Sequence, residues 1–118
     1  MDSPVQLDMN TDYPEVKKEI LDLLKNLSEK SKKEVCGYIS SSGVFYEKEN
    51  VHPDPENFFL IDPKECMWED DIIIFHSHPD KITHEGFSEW DIENQFYFQL
   101  DMLLYSVNNK KFYYKKND

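Results

Sequence analysis

Ile72-Ile73-Ile74-Phe75-His76-Ser77-His78-Pro79 is the stretch on which the fold of this chain turns. A short continuous apolar run, β-branched in its first three positions, reads as a strand buried within a sheet. Side chains of a strand alternate between its two faces, so His76 and His78 project the same way as the strand leaves the core. Pro79 has no N–H to give the ladder and starts a loop. Two imidazoles aimed at one point, with the acid Asp91 at short range, suit a zinc ion better than other common ligands.

Around this strand the pattern alternates between helix and strand. Val16, Ile20, Leu23, Leu24 and Leu27 recur at three and four, which predicts a helix from Pro14 to about Lys32. Val35–Ile39 and Val44–Glu47 read as a hairpin around the turn Ser40-Ser41-Ser42-Gly43, and Phe58–Ile61 reads as a third strand after the loop His52–Asn57. Pro63–Trp68 reads as a short helical turn, and Ser88-Glu89-Trp90-Asp91 opens a second helix. Leu100–Val107 and Lys111–Tyr114 read as two further strands joined at Asn108-Asn109. The expectation is an α/β (α+β) domain over residues 14–118, a mixed sheet flanked by two or three helices, behind a flexible tail at residues 1–13.

Composition narrows the functional classes. With 118 residues the chain forms one domain with a modest core, too short for a barrel of eight strand–helix units. A net charge of −11 argues against nucleic acid and anionic membranes as partners, since both require a basic footprint. No apolar run approaches the roughly 20 residues that span a bilayer, and residues 1–8 lack the basic start and apolar segment of a signal peptide, so the expected location is cytoplasmic. Cys36 and Cys66 show no metal or redox spacing and are expected to be buried free thiols.

A zinc hydrolase needs three protein ligands with a position left for water, a carboxylate to carry the water's proton, and a donor for the oxyanion. His76, His78 and Asp91 are the candidate ligands, and a hydroxyl near Asp91 is the candidate donor. Each has a plainer reading beside it. Ser88-x-x-Asp91 is also a helix N-terminal capping signature, and Glu34 is one of 24 acids in an acidic chain. His52 and His84 read as loop residues, and Trp68, Trp90 and Phe96-Tyr97-Phe98 as packing.

Glu34-Val35-Cys36-Gly37-Tyr38-Ile39, His76-Ser77-His78-Pro79 and Ser88-Glu89-Trp90-Asp91, taken in this order, resemble the signature of the JAB/MPN (JAMM) zinc metallopeptidases. The stretch from Asn50 to Pro63 is similar to the same family, and the likeness covers roughly residues 14 to 107. The compact size and the Ser-Glu-x-Asp form look most like its prokaryotic and phage branch. The resemblance implies a JAB/MPN (cytidine-deaminase-like) fold, Zn2+ held by His76, His78 and Asp91, Glu34 as general base and acid, and Ser88 as oxyanion donor. It implies hydrolysis of a peptide or isopeptide bond in a protein or peptide substrate, such as a ubiquitin-like conjugate or a cell-wall peptide. In a phage tail the protein would be virion-associated, and family members without metal ligands serve instead as interaction scaffolds. One departure stands out: Asp80–Phe87, between Pro79 and Ser88, is two residues longer than the family pattern. This loop and Ser40–Gly43 are the expected substrate-selecting segments.

Overall fold

The computed structural model describes residues 5–7, 16–67 and 70–117, with only the backbone described for residues 5–7. Its order is β1 (Val5–Leu7), α1 (Lys18–Glu29), β2 (Cys36–Ser40), β3 (Phe45–Lys48), β4 (Asp71–His78), α2 (Glu89–Phe98), β5 (Asp101–Ser106) and β6 (Lys111–Lys115). The six strands form one mixed sheet in the order β1-β6-β5-β4-β2-β3. β4 and β5 are parallel neighbours, and the remaining pairs are antiparallel. A parallel pair requires a crossover, and α2 supplies it. Central β4 is buried along nearly its whole length, which is why its sequence is apolar without alternation.

The two faces of the sheet carry separate cores. Ile73 and Phe75 of β4 pack with Leu21 and Leu24 of α1 and with Leu103, Tyr105 and Phe112. Ile74 packs with Tyr38, Phe59, Ile61, Phe98 and Met102 on the opposite face. The alternation that splits Ile73 from Ile74 puts His76 and His78 on the face of Ile74, where α2 lies.

Four expectations need correction. Phe58–Ile61 joins no sheet, because Asn50 and Val51 take its backbone groups: Leu60 N–H donates to Asn50 Oδ1 (3.0 Å), Asn50 Nδ2 to the Phe58 carbonyl (3.0 Å) and Val51 N–H to the Leu60 carbonyl (2.9 Å). Val5–Leu7, inside the expected tail, pairs with β6 in the register Val5–Tyr114 to Leu7–Phe112. Helix α1 begins at Lys18, and Pro14, expected in its first turn, lies outside the described residues. The turn expected over Pro63–Trp68 is a 3-10 turn of Pro63–Glu65, with Trp68 likewise outside the described residues.

Candidate metal centre

His76 and His78 occupy the carboxyl end of β4, paired with Leu104 and Ser106 of β5, and Pro79 follows the last strand residue. Asp91 sits at the third position of α2, and Glu34 lies two residues ahead of β2. β2 runs antiparallel to β4 with Cys36 opposite His76, so its beginning meets the end of β4. Ser77, between the two histidines, secures this junction: Val35 N–H donates to Ser77 Oγ (2.8 Å) and Ser77 N–H to the Val35 carbonyl (2.9 Å).

These placements bring four charged or ionisable side chains together in a buried pocket. Glu34, His76, His78 and Asp91 are each 2 % exposed or less. Each offers a ligand atom, and the four atoms lie within 4.8 Å of one another. His76 Nε2 is 3.0 Å and His78 Nε2 3.1 Å from the same oxygen, Asp91 Oδ2. His78 shares a hydrogen bond with that oxygen, whereas His76 Nε2 is close without hydrogen-bond geometry. Glu34 Oε1 and the Nδ1 atoms of both histidines are also buried without a partner. Unpaired buried polar atoms are rare because desolvation goes uncompensated. Three nitrogen and oxygen donors turned to one point, with an unpaired carboxylate beside them, form a group that could hold a metal ion.

Electrostatics pushes the two carboxyls apart. Burial opposes ionisation of Asp91, but the adjacent imidazoles outweigh it and hold the carboxyl well below its usual range. Burial, then the charges of Asp91 and Asp54, push Glu34 up to about 10. Burial lowers His78 against the pull of Asp91, a direction that favours the neutral ring a metal ligand requires.

Ser88 caps α2: its Oγ accepts Asp91 N–H (3.1 Å), and its own N–H donates to Asp91 Oδ2 (2.9 Å). This capping box fixes Asp91 from behind and leaves the hydroxyl proton of Ser88 uncommitted to it. The longer loop Asp80–Phe87 does not keep Asp91 from the histidines. The exposed His84 on this loop brings its ring within 5.1 Å of the ring of His78.

No family model and no curated protein matches the chain.

Several surrounding residues were given no part in the site by the sequence. Asn50 bonds the Glu34 carbonyl through Nδ2 (3.1 Å), and Phe59 stacks on His76 at 4.4 Å between ring centroids. The rings of His52, Phe58 and Trp90 pack together beside them. Turn Ser40–Gly43, expected to select substrate, is at the wrong end of the sheet: Ser40 pairs with Asp71, the opposite end of β4 from His78. A cavity of about 470 Å3 lies there, bordered by Ser42, Tyr46 and Asp71, and it is separate from the four buried groups. Phe96 and Tyr97, expected to pack, are 81 % and 63 % exposed, whereas Phe98 is buried.

Proposed function

We propose that this protein is a zinc-dependent metallopeptidase of the JAMM (JAB/MPN) type that hydrolyses a peptide or isopeptide bond. The observation that carries this reading is the convergence of both Nε2 atoms on Asp91 Oδ2, with the unpartnered Glu34 carboxyl buried alongside. A mixed sheet whose parallel pair ends at the two imidazoles supports the same family assignment.

His76, His78 and Asp91 would hold the metal, the histidines as neutral imidazoles and the aspartate ionised. Zinc, when bound, supplies a site where water ionises near pH 7 and a Lewis acid for the scissile carbonyl. Glu34 accepts the proton of the attacking water and delivers it to the departing amine. Glu34 would ionise more readily beside a bound cation, against the burial that otherwise raises its pKa. Ser88 donates a hydrogen bond through its hydroxyl to the carbonyl oxygen as that carbon becomes tetrahedral. The leaving group is an amine, either the next residue of a peptide or a lysine side chain.

Element analysis of purified protein is expected to find one zinc per chain, lost in His76→Ala and in Asp91→Ala. Full metal retention by both variants would sink the ligand assignment. Ferrous iron also favours two histidines and a carboxylate, so reconstitution with each metal decides the ion. Glu34→Gln should keep the metal and lose turnover by about 10²–10⁴-fold. Ubiquitin-like fusions, lysine-branched peptides and cell-wall stem peptides form the substrate panel. A metal-loaded protein inert on all three would favour a non-catalytic interaction module.

A further inference from the structure

Residues 34 and 35 lie ahead of β2, outside its paired register, yet all four of their backbone polar groups are bonded. Val35 exchanges both of its bonds with Ser77. Glu34 N–H donates to the Pro55 carbonyl (2.8 Å), and the Glu34 carbonyl accepts from Asn50 Nδ2 (3.1 Å). Oε1 of Glu34 has no partner, so the carboxyl is placed by where its backbone is held.

Asn50 is the hub of that hold. Its Nδ2 also faces the carbonyls of Pro55 (3.3 Å) and Phe58 (3.0 Å), while Oδ1 accepts from the N–H groups of His52 (3.2 Å) and Leu60 (3.0 Å). The five partners settle its orientation, since exchanging oxygen and nitrogen would set oxygen against three carbonyls. Asn50 therefore both bonds Glu34 and fixes the loop whose Pro55 carbonyl bonds Glu34 on its other side. An aspartate would keep the acceptor side and lose every donor; an alanine would lose both.

We infer that Asn50 is a positioning residue for Glu34, holding the base beside His76, His78 and Asp91 through the backbone of residue 34. The inference rests on Glu34 as the proton carrier. Misplacing a reacting group by about 1 Å can cost on the order of 10²-fold in rate, and nothing else described at Asn50 touches the four buried groups.

The test compares Asn50→Ala, Asn50→Asp and Glu34→Gln in the zinc-loaded full chain. Asn50→Ala is expected to keep one zinc and an unchanged KM while kcat falls about 10- to 100-fold. Amide hydrogen exchange should quicken at Glu34 and Val35 and stay at the wild-type rate in β4 and β5. On the Glu34→Gln background, Asn50→Ala should lower kcat no further. Wild-type kcat, wild-type exchange at residues 34 and 35, or a full additional loss on the Glu34→Gln background would each overturn the inference. If the alanine variant does not fold, Asn50→Asp retains the acceptor for His52 and Leu60 and is held to the same criteria. Full activity in Glu34→Gln would strike the base itself, and the positioning role with it. An inactive Glu34→Gln beside a fully active Asn50→Ala would strike the positioning role alone.

Discussion

Glu34 and Asp91 are buried carboxyls a few ångströms apart, and their surroundings drive them in opposite directions. In the metal-free protein Glu34 keeps its proton up to about 10, while in the unfolded chain it loses it near 4.5. The folded state therefore binds more protons between these values, and stability falls as pH rises through that window. Metal-free protein is expected to lose thermal stability from about pH 6 to pH 9 more steeply than metal-free Glu34→Gln. Equal slopes in thermal unfolding would show that Glu34 is not protonated there. The histidine pair was legible in the sequence because a period of two needs no tertiary information. Glu34 was legible only through its resemblance to a family motif, as nothing in an isolated acid reveals burial. Asn50 lay in the family-like stretch up to Pro63, but its role was not legible: its partners are the backbone groups of Glu34, His52, Pro55, Phe58 and Leu60, and no residue pattern marks such bonds.

At the scale of elements, β3 depends on a glycine. A Cβ at Gly37 would collide with the Tyr46 carbonyl oxygen and come within 2.7 Å of the Phe45 ring, both on the paired strand β3. Gly37→Ala is expected to destabilise the protein by about 1–3 kcal/mol, measured by denaturant unfolding, with exchange quickening first along β3. A variant as stable as wild type would show that β3 can shift freely. Strands β2, β4, β5 and β6 and helix α1 were legible because burial follows hydrophobicity there. Helix α2 inverts that rule, turning Asp91, Asn94 and Gln95 inward with Phe98. Gln95 Nε2 satisfies the carbonyls of Leu100 (3.1 Å) and Lys115 (2.9 Å), ends that the sheet leaves open. With polar residues needed on the inner face, Phe96 and Tyr97 face solvent, and a packing expectation based on hydrophobicity fails. Phe58–Ile61 misled in the opposite way: its apolar run buries Phe59 and Ile61, but its hydrogen bonds go to the Asn50 side chain and to loop backbone rather than to a strand.

For the molecule as a whole, a metal bound only by the folded state adds stability by linkage, about 2.7 kcal/mol at a hundredfold excess over Kd. Chelation should accordingly lower Tm by roughly 10 °C, with full recovery on adding zinc and no response in Asp91→Ala. A Tm indifferent to chelator would mean that no stabilising ion is bound. Among the described residues no helix is long and apolar enough to cross a membrane. The parallel β4–α2–β5 crossover also has a bearing on the order in which the molecule assembles. His76, His78 and Asp91 belong to one continuous strand–loop–helix segment, His78 and Asp91 being 13 residues apart, whereas the Val35–Ser77 bond beside Glu34 joins positions 42 apart. Closing the shorter loop costs less chain entropy, and contacts of low sequence separation form sooner. During refolding the protein is expected to capture zinc before it regains activity, as followed by a zinc indicator and a substrate assay in the same stopped-flow run. A lag between the two signals would be the time taken for β2 to dock and deliver Glu34 to a site already loaded, while simultaneous recovery would mean the site closes in a single step.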